Sequence, residues 1–360
     1  MISKLLVFFA FVLFFLFGIL ADGSDKERRQ KILLMSCLVL AYLAGIRNPW
    51  LWADTMAYFD DFIMASNFFS FQWIDEPPNG YTEKGFHFIA VFVKIFTNDA
   101  TAYLTIVSLL SFFFLYKSLR RYCLFPMLGL CIYISRFMIG RNMMQIRACL
   151  AIAIIISFTY LLKEKKWWLY ALVLFLAYQL HHSSLIATPL LFLGYFRFDF
   201  SKKQIYYGII ASMIIAQFFG GYVKSYVDSS EFMWEMASSY IQEGSEKAFS
   251  NDLTNPVIWF QVIVLLIFTY YEDSLKKVTS YYFIFRNAYF ISTVILIVLC
   301  QYAIVAARTS TLFATYECMI IPTFLMLFRK EQTIPPYLII GTGLTVLFVM
   351  NWPSVVPYIW

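Results

Sequence analysis

The sequence predicts an all-α fold: a polytopic integral membrane protein forming one membrane domain over residues 1–360. Three observations carry this. Apolar residues make up 61% of the chain and charged residues 14%, against roughly 45–50% and 25% in an ordinary globular domain. A soluble globule of this length has more surface than so few charges can cover. Apolar runs approaching the roughly 20 residues needed to cross a bilayer recur along the chain. Lys and Arg gather in short segments between those runs, so the net charge of +6 reflects membrane topology rather than a nucleic-acid partner.

In chain order, spans are expected at 3–21, 32–46, 100–116, 122–139, 146–162, 167–181, 184–196, 205–222, 256–271, 281–305, 309–328 and 335–352, which is about twelve crossings. The first run, Leu5–Leu20, imitates a signal peptide, but only Lys4 precedes it and Asp22, Gly23 and Ser24 follow, so it reads as the first span. Basic clusters fall at 26–31, 117–121, 163–166, 197–203, 276–277 and 329–330, and together they hold 17 of the 28 Lys and Arg residues. Placing all six in the cytoplasm gives a consistent alternation. It puts both long connections, 47–84 and 223–255, on the outside, the second with an amphipathic helix over Ser229–Gln242. The apolar piece Gly85–Phe96 is interrupted by Lys94 and too short to cross, so it reads as a re-entrant or interfacial helix; counted as a crossing it would make about thirteen. The six cysteines show no CxxC spacing and read as apolar packers. No repeat is visible.

An arginine inside a span costs at least about 2.5–3.5 kcal/mol on insertion scales, so each one calls for a reason. The stretch Ser135-Arg136-Phe137-Met138-Ile139-Gly140-Arg141-Asn142-Met143-Met144-Gln145-Ile146-Arg147 carries three at the outer face. Gly140 and Asn142 are expected to break the helix there and let the three guanidiniums converge; snorkelling to lipid headgroups is the alternative for Arg136 and Arg141. Arg147 lies inside an apolar helix, and Arg308 falls where two outer helix ends should meet. Paired guanidiniums bind phosphate oxygens through two hydrogen bonds at once. No P-loop or Gly-rich nucleotide cradle occurs, so an outward-facing phosphate should belong to a lipid.

Of the three histidines, His181 and His182 sit at an outer helix boundary. Facing a watery vestibule, either could act as general base or orient a hydroxyl; an interfacial cap is the structural alternative. His87 lies in the short helix, and no ligand spacing suggests a metal. The outer loop from Arg47 to Asp61 mixes aromatics and carboxylates. Trp50, Trp52 and Tyr58 could stack on sugar rings, or the tryptophans could form an interfacial belt. Asp54 and Glu83 could accept hydrogen bonds from sugar hydroxyls.

The order Asp54–x3–Tyr58, then Glu83-x-Gly85-Phe86, then Ile146-Arg147-x3-Ala151, the Lys-rich turn at 163–166, His181-x-Ser183-x-Leu185-Ile186 and Ala307-Arg308 resembles the EpsG family, grouped with Wzy-type O-antigen and exopolysaccharide polymerases. The resemblance covers about residues 40–330 and is best over 141–190. It implies a multi-pass protein of the bacterial inner membrane with its active site facing the periplasm. The implied reaction polymerises undecaprenyl-diphosphate-linked repeat units, without metal or other cofactor. Donor and acceptor would both be lipid-linked oligosaccharides in the membrane, with a flippase and a chain-length regulator as candidate partners. Arg147 and Arg308, with Arg141 and Arg136, would bind diphosphate; His181 or His182, Asp54 and Glu83 would serve the acceptor. A flippase or small-solute carrier, a glycan acyltransferase and an O-antigen ligase are the rival readings.

Overall fold

The computed structural model describes residues 2–52, 54–73, 83–229, 253–301, 303–328 and 334–351, and every regular element among them is helical. Helices α1 (Ile2–Asp22) and α2 (Lys26–Gly45) are joined by a tight turn, where Asp25 caps α2 by accepting the Arg28 N–H at 2.9 Å. α2 packs along α5 (Ala100–Tyr122). The contact depends on Gly45, where a Cβ would lie 2.3 Å from Thr105 Oγ1. α5 is capped by Asp99 and ends on Arg120 and Arg121, which suit the negative end of the helix dipole.

Between α2 and α5 lie α3 (Thr55–Met64) and α4 (Lys84–Val93). At 10 residues α4 is only about 15 Å long, half a hydrocarbon core, consistent with the short helix expected there. Lys94 interrupts its apolar run for a local reason: its ammonium caps the end of α3, donating to Ile63 O at 2.8 Å and to Ala65 O. A small core of Tyr58, Phe62, Phe86, Tyr103 and Ile146 binds α3, α4 and α5 together, with Phe62 stacked on Tyr103 at 4.7 Å.

The next segment departs from expectation. α6 (Pro126–Tyr133) passes through a π-turn (Ile134–Met138) into α7 (Ile139–Asn142). Pro126 opens α6, and the buried Asp22 accepts the Met127 and Leu128 N–H groups at 3.1 and 3.0 Å. Gly140 stays helical. The break falls at 143–145, where Met143 and Gln145 reach back five residues to Met138 O and Gly140 O, both at 3.2 Å. The break thus falls just after the expected Gly140 and Asn142, and the wide winding turns Arg136, Arg141 and Arg147 onto different neighbours.

The chain continues through α8 (Ile146–Ser157), α9 (Tyr160–Lys163), α10 (Trp167–Leu180), a 3-10 turn at His182–Ala187, α11 (Thr188–Phe196) and α12 (Lys202–Ser229). α12 runs past the expected span end at 222, so the second long connection starts later than expected. The amphipathic helix expected over Ser229–Gln242 falls, beyond Ser229 itself, outside the described residues, as do Arg329 and Lys330. The last elements are α13 (Pro256–Tyr270), α14 (Glu272–Val278), α15 (Tyr282–Val298), α16 (Ala303–Ala314), α17 (Glu317–Thr323) and α18 (Ile334–Asn351). Arg308 therefore lies within α16, not at the junction expected between two helix ends. The polar run Thr309-Ser310-Thr311 stays helical, and the Thr309 hydroxyl is satisfied within the helix by donating to Val305 O one turn back at 2.7 Å.

By length and composition, 2 described helices can each cross a membrane, or up to 4 if each bent pair counts as one span. The bends are 84° between α13 and α14 and 54° after α16. Other apolar helices run 10–17 residues among the described positions, so helix length does not establish about twelve crossings. Large apolar side chains such as Leu20, Phe218 and Phe192 stay exposed, as an apolar solvent permits. The chain is an all-helical membrane protein.

Candidate active site

Glu83 lies in the turn before α4 and makes no helix cap. Its carboxylate instead joins two elements. One oxygen, Oε2, accepts from Arg147 Nη1 in the first turn of α8. The other, Oε1, meets His181 Nδ1 at 2.9 Å and the His182 backbone N–H at 3.5 Å. All three side chains are largely buried: Glu83 is 7% exposed, Arg147 16% and His181 27%.

The sequence around Glu83 explains its placement. A Cβ on Gly85 would fall 2.6 Å from Gln179 Cβ and 2.7 Å from Gln179 O. Only glycine lets the first turn of α4 lie against the last turn of α10, two residues before His181. Phe86 anchors that turn, edge-on to Tyr58 at 5.9 Å and to Tyr103 at 6.4 Å.

The electrostatics follow from the geometry. Burial alone would raise the Glu83 carboxyl, but the His181 hydrogen bond and the Arg147 charge outweigh it and hold it at about 2. Burial lowers His181 from its ordinary 6.5, against the opposing pull of Glu83. Near neutrality the carboxylate is therefore ionised and the imidazole neutral. Since Glu83 is acceptor-only, Nδ1 carries the proton and Nε2 is the basic nitrogen.

Arg147 lies over the Tyr58 ring, 5.7 Å from its centroid, at the positive end of α8, where anions are favoured. Arg308 shares this neighbourhood. Asp54, Tyr58 and Arg147 are the ionisable groups acting on it, and both arginines act on His181. Gln145, the residue before α8, presents its amide oxygen to Arg308 Nε and Nη2 at 3.2 and 3.3 Å in the orientation that satisfies both groups. Asp54 is exposed and adopts a left-handed backbone, φ 62°, just before α3, a conformation that aspartate tolerates better than most residues. It is held there by Thr55, whose hydroxyl donates to Met143 O at 3.1 Å while accepting from Arg47 Nε at 3.1 Å.

The expected residues thus divide. Arg147, Arg308, His181, Glu83, Asp54 and Tyr58 come together. Arg136 does not join them: it makes a two-point ion pair with the fully buried Glu317, at 3.0 and 3.3 Å, which Tyr289 supports with a 3.0 Å hydrogen bond. Arg141 donates to Thr311 O and Oγ1 and lies over the Phe137 ring, tethering α7 to the helix that carries Arg308. The three guanidiniums of this stretch, expected to converge, instead reach three different partners, Glu317, Thr311 and Glu83. Of the adjacent histidines, His181 faces Glu83, while the His182 ring stacks on Tyr178 at 4.5 Å. Trp52 is 3% exposed inside the core and Tyr58 2% exposed beneath Arg147, so neither offers a face to a sugar ring; Trp50, 77% exposed, does.

Sequence reasoning passed over Gln145, Glu317 and the buried pairing of Asp61 with His87, Oδ1 to Nδ1 at 3.3 Å. For Glu317 and Asp61 the signal was available, since a carboxylate surrounded by apolar residues needs a partner. Among the described residues, no three His, Cys, Asp or Glu side chains gather as a metal site.

A helical membrane protein with a buried carboxylate–histidine–arginine cluster is the class this architecture defines. The EpsG family model matches residues 30–360, and the chain belongs to the EpsG family, which is of the exopolysaccharide and O-antigen polymerase type. No curated protein and no solved structure gives a significant match.

Proposed function

We propose that this protein is a polysaccharide polymerase: a membrane glycosyltransferase that moves a growing glycan from undecaprenyl diphosphate onto a lipid-linked repeat unit, at the periplasmic face of the bacterial inner membrane. The observation that carries this reading is the Glu83 carboxylate, shared between His181 and Arg147, which supports a base and an anion site side by side. His181 Nε2 accepts the proton of the acceptor hydroxyl as its oxygen bonds to the anomeric carbon of the donor glycan. The bond from that carbon to the diphosphate oxygen breaks, and its electron pair leaves on the diphosphate. Glu83 fixes the imidazole tautomer and stabilises the imidazolium that forms. Arg147 and Arg308 balance the charge appearing on the leaving group. Asp54, beside Arg308, orients the acceptor, and Trp50 offers the exposed aromatic face.

A carrier would need charges along a path through the membrane, whereas the buried Arg136 and Arg286 are paired with Glu317 and Glu272. The test is complementation of a strain lacking the gene, with surface polysaccharide resolved on a gel. Wild type restores the ladder; His181→Ala and Glu83→Gln, inserted at normal levels, leave a single repeat unit. A full ladder in the strain lacking the gene refutes the reading. Polymer that accumulates on its lipid carrier without reaching the lipid A-core points to a ligase.

A further inference from the structure

Beside the cluster lies a cavity of about 340 Å³ formed by α10, the 3-10 turn and α11. Its walls include Ala171, Leu174, Phe175, Leu185 and Leu191. Thr188 adds little polarity, because its hydroxyl donates to Leu185 O at 2.6 Å. Phe175 and Leu185 in its wall remain 56% and 52% exposed, so the groove is open to its surroundings. Tyr178 also lines it and stacks on His182, whose backbone N–H points at Glu83. The same 3-10 turn packs against α16, the helix of Arg308. An apolar groove is therefore linked, through Tyr178 and His182, to the carboxylate that holds Arg147.

We propose that this groove seats the isoprenoid tail of a polyprenyl diphosphate, its head lying at Arg147 and Arg308. The inference rests on the polymerase reading for the ligand's identity. The complementarity is physical: a ligand reaching both features needs an anionic head and a long apolar chain. Tyr178, in the groove wall, connects the groove through its stacked partner His182 to the Glu83 cluster.

The test uses full-length protein in nanodiscs of phosphatidylethanolamine and phosphatidylglycerol, with a sugar-free long-chain polyprenyl diphosphate carrying a diazirine in its tail. After photolysis, label should map to 171–178 and 185–191 and be displaced by unlabelled polyprenyl diphosphate but not by extra phospholipid. Filling the groove with Ala171→Phe, or separately Thr188→Phe, should reduce that label about tenfold, the effect of losing roughly two buried methylenes. Label spread over Phe113 and Phe192 on other exposed faces, or displaced equally by phospholipid, overturns the proposal and leaves an ordinary lipid-facing crevice. Labelling and polymer formation are scored separately, so the two readings fail separately. Groove labelling in a protein that makes no polymer sinks the polymerase reading alone; polymer formation with label elsewhere sinks the groove alone.

Discussion

His181 Nδ1 lies 2.9 Å from Glu83 Oε1, joining residues 98 apart in sequence, while the other oxygen of that carboxylate holds Arg147. One side chain thus positions both a base and a cation. The two functions are coupled because neither oxygen can move without the other.

That coupling predicts non-additive kinetics. Glu83→Gln keeps the shape but removes the charge, so the imidazolium loses its partner and the rate should fall about 100-fold. His181→Ala should fall by a similar or larger factor. The double variant should be scarcely slower than His181→Ala alone, because residues acting as a unit do not contribute separately. Initial rates on purified lipid-linked repeat units measure this; a multiplicative loss would show that the two residues act independently.

The pH profile carries a sign. His181 must be neutral to accept a proton, and burial lowers it from 6.5. Activity should therefore be full at neutral pH and fall with acidification, with its midpoint below 6.5. Glu83 lies at about 2 against an ordinary 4.5, so it stays ionised throughout that fall. Its own contribution to stability is present above 4.5 and is lost only as pH drops towards 2. In Glu83→Gln the imidazolium is less stabilised, so the midpoint should move lower still. A rate–pH series on both proteins checks this; an upward move would contradict the pairing.

Arg136 and Glu317 should behave as structure. Both are buried, at 6% and 0% exposure. Arg136→Ala leaves an uncompensated carboxylate, costing about 3–5 kcal/mol, whereas removing both charges with Arg136→Met and Glu317→Leu should recover much of that loss. Thermal unfolding in detergent is the measurement, and the double replacement should regain catalysis along with stability. If the double variant were stable yet inactive, Arg136 would belong with the site after all.

Much of the site was legible because burying charge in a membrane is costly. Arg147, Arg308, His181 and Glu83 each stand out in an apolar context, and the spacing Glu83-x-Gly85 reflects the close approach of α4 to Gln179. Partner choice was not legible. Arg136 and Arg147 look equivalent by helical phase, but the π-turn and the turn at 143–145 send one to a residue 181 positions away and the other to Glu83. The helix count was obscured for a related reason. Breaks at 143–145 and 315–316 carry no proline or glycine and depend on side-chain and backbone bonds that form only in the fold.

Gly85 offers a test of positioning. A Cβ there meets Gln179 backbone and side chain at 2.6–3.0 Å, and backbone cannot yield as a flexible chain end could. Gly85→Ala should push α4 off α10 and separate Glu83 from His181. Catalysis should fall at least about tenfold, the cost of a 1.4 kcal/mol misplacement, while membrane insertion persists. Gly140→Ala, where nothing lies within 4 Å of the added carbon, is the matched control and should be near neutral. Equal activity in the two variants would mean that the α4–α10 approach does not position the carboxylate.

The strongest prediction concerns Arg147 and Arg308. Both act electrostatically on His181, and Arg147 stands at the positive end of α8. Each is oriented, Arg147 by Glu83 and Tyr58 and Arg308 by Gln145. A planar guanidinium can keep such an orienting contact and still present further N–H donors to a phosphate; a lysine ammonium cannot reproduce that fork. Arg147→Lys and Arg308→Lys should therefore each slow polymer formation about tenfold or more, as expected for losing a charge-assisted bond worth roughly 1.5–3 kcal/mol. Gln145→Leu should weaken Arg308 through its orientation, giving a smaller loss that Arg308→Lys abolishes. Arg141→Lys should act mainly on stability, since its bonds go to Thr311. The decisive comparison is the rate on purified lipid-linked repeat units for variants inserted at wild-type levels. Wild-type rates for both lysine variants would remove the diphosphate clamp and leave these arginines as partners of Glu83 and Gln145 alone.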